Sequence, residues 1–254
     1  MLRIAIQAKG RLNEESIGLL AEAGVSIEDS KRKLLARSNG FPLEVLYLRD
    51  DDIPQAVSMG VADLGVVGLN EVEEKGFDVE IVHRLGFGKC RLSLAVPKTE
   101  PYDGLSYFEG KRVATSYPVI LSRFFREKGI AAEIHEIAGS VEIAPSVGMA
   151  DAIFDIVSSG GTLVTNGLKE VEQVLFSEAV LIGGRALSDD KRQILSQLLF
   201  RIEAVERSRG LKYVLMNLPH AKIPEAVRIL PGMKSPTILP LAQEGWSSMH
   251  VVIN

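Results

Sequence analysis

Residues 142–163 read EIAPSVGMADAIFDIVSSGGTL, and their pattern is the most informative in the chain about its fold. Within this stretch, residues 152–157 form a short apolar run interrupted by one carboxylate, Asp155. Five small residues follow directly: Ser158, Ser159, Gly160, Gly161 and Thr162. An apolar run of this length before a glycine pair predicts a buried strand, a tight loop and the start of a helix.

A loop of this composition is suited to binding a phosphate group. The glycines allow successive backbone N–H groups to point into one concavity, the hydroxyls add donors, and the helix contributes its positive end. Asp155 repels the same phosphate, so its natural partners are sugar hydroxyls or a cation. A phosphorylated sugar satisfies both requirements, with Asp151 as a second acid near the ribose. The alternative is that SSGGT is an ordinary connection between a strand and a helix.

The composition indicates a globular protein that does not bind nucleic acid. The chain has 254 residues, of which 46% are hydrophobic and 24% are charged, enough for two compact domains and a small third one. Its net charge of −4 and scattered basic residues argue against nucleic-acid binding. The N-terminal residues carry neither a secretory signal nor a membrane span, so we expect a cytoplasmic location.

Cysteine and histidine usage gives no sign of a disulfide or a transition-metal site. The single cysteine, Cys90, adjoins an apolar run and has no neighbouring histidine, so we interpret it as a buried structural thiol and not a nucleophile. The four histidines lack the spacing of metal ligands: they are His83, His135, His220 and His250.

Polar residues follow two predicted strands in the first part of the chain. A strand at 2–5 and a helix at 12–23 place Lys9, Gly10 and Arg11 in a strand-to-helix loop, where open α/β sheets bind ligands. Two cations flanking a glycine would clamp a triphosphate; a solvated basic turn is the alternative. Asn70 and Glu71 follow a predicted strand at 61–67 and are candidates for nucleotide contacts, with helix capping by Asn70 as the alternative.

The strand–helix alternation continues through the middle of the chain. Strands are predicted at 91–96 and 112–115, and a helix at 119–128, so Ser116 and Tyr117 face the same crevice. The acidic cluster at 50–52 precedes Pro54 and is typical of a helix N-terminus. Alternation over the first 210 residues predicts an α/β fold.

Nine positions of the opening stretch match a known signature. Their spacing resembles the signature of ATP phosphoribosyltransferase, the first enzyme of histidine biosynthesis; they are Glu142, Gly148, Ala150, Ile153, Asp155, Ser159, Gly160, Thr162 and Leu163. Further similar stretches lie at 3–12, 49–57, 60–74, 90–97, 111–118, 167–172 and 236–242. The resemblance therefore covers nearly the whole chain.

The resemblance implies a two-lobed catalytic core similar to type II periplasmic solute-binding proteins. Lobe I would comprise residues 1–88 and 184–210, and lobe II residues 89–183. Residues 211–254 have a predicted β-α-β-β order that is similar to a ferredoxin-like regulatory domain, where histidine acts as an effector. Such a domain normally has a further helix and strand, so we expect this one to be partial. A homo-oligomer, dimeric or hexameric, is also implied.

The resemblance also implies a reaction and a set of residues for it. N1 of ATP would attack C1 of phosphoribosyl pyrophosphate (PRPP), and Mg²⁺ would be held mainly by the pyrophosphate, with no site built from protein ligands alone. Glu142 and Asp155 would be catalytic, although a structural role for Glu142 before Pro145 is the alternative. PRPP would contact Asp151, Asp155, Ser158, Ser159, Gly160, Gly161 and Thr162. ATP would contact Lys9, Gly10, Arg11, Asn70, Glu71, Arg91, Ser116 and Tyr117.

Two other function classes share these sequence features. A bilobal cleft with a phosphate loop also suits a non-catalytic receptor or sensor, because a fold does not fix a function. A type I phosphoribosyltransferase also has an apolar strand, an acid and a Ser/Thr-Gly-x-Thr loop. That family usually carries two adjacent acids, whereas Phe154 precedes Asp155 here.

Overall fold

The computed structural model describes residues 1–28 and 34–254, which form two compact units. The first unit is Met1–Leu199 and the second is Phe200–Asn254, with the boundary inside helix α6 (Asp189–Ser208). Within the described residues, no helix has the length and apolar character needed to cross a bilayer.

The first sheet of the larger unit is built around parallel strands. In the described residues its order is β2 (Ser26–Ile27), β3 (Leu35–Asn39), β4 (Leu43–Leu48), β1 (Leu2–Gln7), β5 (Leu64–Gly68), β12 (Ala179–Gly183) and β6 (Glu80–Arg84). Strand β1 pairs in parallel with β4 and β5. Helices α1 (Arg11–Glu22), α2 (Ile53–Ser58) and α3 (Leu69–Lys75) connect these strands.

The central strands are apolar on both faces, as expected for parallel strands covered by helices. Leu2, Ile4 and Ile6 of β1 are almost fully buried. The strand predicted at 61–67 begins later, at Leu64, because the side chain of Asp63 bonds to other segments of the chain. The Asp63 carboxylate accepts a hydrogen bond from the backbone N–H of Arg3 at 2.8 Å and one from the Lys191 ammonium at 2.7 Å.

The second sheet contains the strand and loop of residues 142–163. Its order is β11 (Leu168–Ser177), β7 (Cys90–Pro97), β10 (Ala152–Val157), β8 (Arg112–Thr115) and β9 (Glu133–Glu136). The strand β10 is antiparallel to β7 and parallel to β8. Helices α4 (Pro118–Lys128) and α5 (Gly161–Thr165) belong to this half, and its core contains Phe108, Phe125 and Phe154.

The chain crosses between the two sheets twice. The first crossing lies between β6 and β7, in the segment that contains residue 88. The second lies between β11 and β12, because Ala179–Gly183 pairs with β5 and β6 of the first sheet. The return to the first sheet therefore precedes Ala179, earlier than the predicted boundary at 184.

A buried carboxylate joins helix α3 to helix α4. Glu74, only 8% exposed, accepts the backbone N–H groups of Val119 and Ile120 at 2.9 Å each. Pro118 at the first position of α4 has no N–H, so Glu74 satisfies the next two donors of that helix. An acid from one helix thus caps another, and this contact ties the two sheets' layers together.

We expect Glu74→Ala to destabilise the protein by about 1–2 kcal/mol, because two buried N–H donors lose their acceptor. Glu73→Ala is the matched control, since Glu73 makes only a partly exposed ion pair with Arg123 and should cost less than about 1 kcal/mol. Urea unfolding of both variants measures the difference. Equal losses of stability in the two variants would show that the cap contributes no more than a partly exposed ion pair.

The smaller unit follows the predicted β-α-β-β order. Strands β13 (Lys212–Pro219), β15 (Trp246–Ile253) and β14 (Thr237–Pro240) form one antiparallel sheet in that spatial order, and α7 (Ile223–Ile229) lies between β13 and β14 in the chain. Its core contains Leu218, Met249 and Val251, against which Ile223 and Val227 of α7 pack.

Candidate active site

A small concave cavity lies where strand β10 ends. Its volume is about 280 Å³, and its lining includes the carboxylates of Glu142 and Asp155 and the following loop. Alternation along β10 explains why Asp155 reaches it: Phe154 is fully buried in the core on one face of the sheet, so its neighbour points to the other. The loop residues that line the cavity are Ser158, Ser159, Gly160 and Thr162.

The loop conformation depends on Gly160. This residue has a φ of +81° and precedes the short helix α5, so it occupies the left-handed region that other residues rarely adopt. The first N–H groups of a helix have no acceptor within that helix and remain available to a ligand. Thr162 lines the cavity, whereas the hydroxyl of Thr165 donates to the carbonyl of Gly161 at 3.0 Å.

The two carboxylates make this cavity electrostatically unusual. Burial raises the pKa of Asp155 to about 6, the hydrogen bond from the Ile156 N–H at 2.8 Å opposes this shift, and the charge of Glu142 adds to it. Perturbed acids of this kind concentrate at functional sites. The cavity thus has both hydroxyl-bearing loop residues and two acids in its lining.

A second cavity, of about 340 Å³, adjoins the first in the cleft between the two sheets. Gly10, Arg11, Asn70 and Glu71 line it together with Ile156 and Ser158. Because Ile156 and Ser158 line both cavities, the two spaces meet at the start of the loop. The structure therefore brings four of the residues predicted to bind nucleotide close to the phosphate loop.

Asn70 and Glu71 belong to a buried polar cluster. The Asn70 side chain accepts a hydrogen bond from Ser177 at 2.7 Å and donates to Glu71 at 3.1 Å and to Tyr117 at 3.3 Å. Asn70 makes no capping bond on α3, so the capping interpretation was wrong. Burial, and then the charge of Asp50, raises the pKa of Glu71.

Six predicted residues line neither cavity: Lys9, Arg91, Ser116, Tyr117, Asp151 and Gly161. Asp151 lies before β10, at the end away from the loop, and makes an ion pair with Arg112 at 2.9 Å. Ser116 donates to the Ile137 carbonyl, and Arg91 pairs with Glu170. Lys9 is exposed and lines neither cavity. We therefore remove Asp151 from the ribose contacts, because its carboxylate serves a structural ion pair.

The cleft also contains residues that the sequence analysis missed. Gln7, Asp50, Lys89 and Cys90 line it. Cys90 is half-buried and not fully buried, and burial raises the pKa of its thiol, which keeps it protonated. Lys89 and Cys90 flank the first crossing between the sheets, a position that no periodic pattern in the sequence reveals.

Among residues 1–28 and 34–254, no group of three or more His, Cys, Asp or Glu side chains is arranged to hold a metal ion. The cavity at the loop offers two carboxylates, Glu142 and Asp155. That donor set suits a hard cation that brings most of its oxygen ligands with it, such as one bound to a phosphate.

Comparison with known proteins identifies the family. Residues 49–204 match the family described as ATP phosphoribosyltransferase, and residues 208–254 match the C-terminal domain of the same family. A relative named ATP phosphoribosyltransferase from Bacteroides thetaiotaomicron is 62% identical over 100% of this chain and 90% of its own length. One of the same name from Cytophaga hutchinsonii is 52% identical over 100% of this chain and 88% of its own.

Solved structures agree on the two-lobed fold. An ATP phosphoribosyl transferase (HisG:HisZ) complex from Thermotoga maritima aligns with a TM-score of 0.70 and 29% identity, over 82% of this chain and 99% of that one. A substrate-binding protein of an amino-acid ABC transporter aligns with a TM-score of 0.54 at 12% identity, over 82% and 93%, which shows the fold alone. The predicted α/β fold similar to periplasmic binding proteins is confirmed, and the chain belongs to the ATP phosphoribosyltransferase family.

Proposed function

We propose that this chain catalyses the reaction for which its family is named, the transfer of the phosphoribosyl group of PRPP to N1 of ATP with release of pyrophosphate. The observation that carries the proposal is the junction of the two cavities at Ile156 and Ser158. Two polyanionic substrates can occupy adjoining spaces there, with the sugar of one next to the base of the other.

The loop cavity is the proposed PRPP site. Backbone N–H groups of the loop, with the hydroxyls of Ser158, Ser159 and Thr162, would bind the 5-phosphate. Gly160 and Gly161 would provide the backbone conformation. Ionised Asp155 would accept hydrogen bonds from the ribose hydroxyls, which orients C1 toward the cleft.

The cleft cavity is the proposed ATP site. Arg11 is largely exposed, and because its ion pair with Glu15 at 3.0 Å lies at the surface, it can turn toward a triphosphate at a small cost in free energy. Gly10 would let the backbone approach closely, and Lys9 and Lys89 would add positive charge nearby. Asn70 and Glu71 would contact the base, held in place by Tyr117.

The chemistry requires alignment more than a strong base. The N1 lone pair of adenine forms the new bond to C1, and the bond from C1 to the pyrophosphate oxygen breaks with its electron pair leaving on that oxygen. Positive charge develops on the ribose in between. The carboxylates of Glu142 and Asp155 in the same cavity would stabilise that charge.

Enzymes of this family require a divalent cation. We propose that it is Mg²⁺, held mainly by pyrophosphate oxygens of PRPP and water, in keeping with the preference of Mg²⁺ for phosphate oxygens. Bound there, it would neutralise charge on the leaving pyrophosphate. Glu142 and Asp155 are the described side chains best placed to contact it.

We expect use of PRPP to depend on pH through Asp155. Its pKa is raised to about 6, so the ionised form that binds ribose is lost as the pH falls through that value. The kcat/KM for PRPP should then decrease up to about tenfold per pH unit below 6. Initial rates between pH 5 and 8 measure this, and a flat profile would contradict the assignment.

Two alternatives are disfavoured by specific observations. A receptor role would leave the family match over residues 49–204 without explanation. A type I phosphoribosyltransferase would need an acid beside Asp155, but that neighbour is Phe154, whose fully buried side chain belongs to the core.

The test is direct. The protein is incubated with ATP, PRPP and Mg²⁺, and the product is identified by mass and by its N1-substituted adenine absorbance. Phosphoribosyl-ATP and one equivalent of pyrophosphate are expected. Binding without turnover would indicate a receptor, and product from a free base but not from ATP would indicate a type I enzyme.

The smaller unit and the assembly complete the proposal. Residues 208–254 match the family's C-terminal domain, and we propose that this part of the chain takes part in regulation with histidine as the effector. We also propose a homo-oligomer, a dimer or hexamer. Because both substrates are made inside the cell, the enzyme would act in the cytoplasm.

A further inference from the structure

We propose that Glu170 is a positioning residue for the phosphate loop and that it acts through Arg91. This inference rests on the proposed function, because it assigns the loop to PRPP. It also revises the role expected for Arg91, which the family resemblance treats as a phosphate contact. The observation behind it is a chain of short contacts from Glu170 through Arg91 to the backbone of Ser158.

The Arg91–Glu170 pair has fixed geometry. The Nε and one terminal nitrogen of Arg91 each lie 2.5 Å from a different carboxylate oxygen of Glu170, and Ser93 donates to one of those oxygens at 2.8 Å. Both side chains of the pair are less than one quarter exposed. Bidentate pairs of this kind fix the orientation of the guanidinium plane.

The other terminal nitrogen of Arg91 reaches the loop. It donates to the carbonyl oxygen of Ser158 at 3.2 Å. Ser158 is the first residue after β10, and Val157 pairs with Arg91 across the sheet, so the contact closes the point at which the strand becomes the loop. Ser158 is also one of the residues shared by the two cavities.

Glu170 itself comes from a different strand. It lies on β11, which pairs with β7 on the side away from β10, and it lines neither cavity. It therefore cannot contact a substrate in either space directly. Its effect on the reaction must pass through Arg91. The orientation of Arg91 determines the position of the Ser158 carbonyl and of the N–H groups that follow it in the loop.

Loss of the Glu170 carboxylate should weaken the use of PRPP more than the use of ATP. Without the carboxylate, Arg91 becomes free to turn away from Ser158 or toward an anion, and the loop loses the brace at its first residue. A displacement of the order of 1 Å in a phosphate site is costly for binding and alignment. The ATP side of the cleft is lined mainly by α1, α3 and the crossing segment, and of the loop only Ser158 reaches it, so we expect a smaller effect on ATP.

The experiment compares three variants in steady-state kinetics with ATP, PRPP and Mg²⁺. Glu170→Gln should raise the KM for PRPP about five- to tenfold, with the KM for ATP within about twofold of the wild-type value. Ser93→Ala, which removes one donor to Glu170 and keeps its charge, should raise the KM for PRPP about two- to threefold. Glu172→Gln is the control, since Glu172 lies on the same strand and binds Tyr102 at 2.6 Å, away from the loop; its kinetics should not change.

A double-mutant cycle tests whether Glu170 acts through Arg91. In an Arg91→Ala background, Glu170→Gln should have no further effect on the KM for PRPP, and additive effects would overturn the proposal. Equal increases in the KM for both substrates, or none in Glu170→Gln and Ser93→Ala, would also overturn it. Wild-type protein that forms no phosphoribosyl-ATP would instead contradict the proposed function, so the two failures are distinguishable.

Discussion

Asp155→Asn should lower the kcat/KM for PRPP by about 10²–10³-fold at pH 8 while the protein stays folded. The amide keeps the size of the side chain but replaces a charged acceptor, so hydrogen bonds from the two ribose hydroxyls weaken together. It also removes one of the two carboxylates that line the loop cavity, Asp155 and Glu142, which we propose to stabilise the developing positive charge. Steady-state kinetics with each substrate varied in turn measures the loss. An unchanged rate would remove Asp155 from the site.

The same substitution should stabilise the fold at neutral pH. The pKa of Asp155 is raised to about 6 in the folded protein from its ordinary value of 3.8, so the folded state binds more protons than the unfolded state between these values. Stability therefore falls as the pH rises from about 4 to 6, and at pH 7 the buried charge costs about 1–3 kcal/mol. Asp155→Asn should recover part of that free energy of unfolding.

Asp151→Asn is the matched control, because it changes the same residue type at the other end of β10. The Arg112 side chain and N–H hold the pKa of Asp151 at about 2, so this acid stabilises the fold above its unfolded pKa. After allowance for solvent screening, its loss should cost about 1 kcal/mol or less and leave the kinetics intact. The two variants thus have opposite expected effects on stability. A change of stability in the same direction in both would contradict the environments described for Asp155 and Asp151.

Thr162→Ala should raise the KM for PRPP about 30-fold, because a hydroxyl donor to a charged phosphate contributes about 2 kcal/mol. The KM for ATP should change by less than about threefold. Kinetics with each substrate at saturation of the other separates the two constants.

Thr165→Ala is the control for Thr162→Ala. Both residues lie on α5, but the Thr165 hydroxyl bonds within the helix and does not line the cavity. It should therefore leave both Michaelis constants close to the wild-type values. An equal increase for ATP and PRPP in Thr162→Ala would show that the substitution disturbs the whole cleft and would argue against a 5-phosphate contact.

The sequence was most informative where local pattern and tertiary structure agree. The strand at 152–157 and the helix after it were predicted from a short apolar run and a glycine pair, and the structure has β10 and α5 there. Parallel central strands such as β1 are apolar throughout and are therefore easy to recognise. The start of β5 was missed because Asp63 bonds to Arg3 and Lys191, which are remote in the chain.

The site was predictable in part for the same reason. Chain position after a strand predicted Arg11, Asn70 and the loop at 158–162 at the crevice, and the structure places Arg11, Asn70 and Ser158 along the cleft. Asp151 was misplaced because spacing does not reveal its partner Arg112. Glu74 and Glu170 were missed since each acts through contacts between distant segments, which neither periodicity nor composition encodes.

The most direct test of the central claim is a crystal structure of the protein with PRPP bound. We expect the 5-phosphate within hydrogen-bond distance of the loop N–H groups and of Thr162, with the ribose hydroxyls on Asp155 and C1 facing the cleft beside Asn70 and Glu71. A 5-phosphate bound elsewhere, with the loop at 158–162 facing away from it, would show that the loop is not the PRPP site.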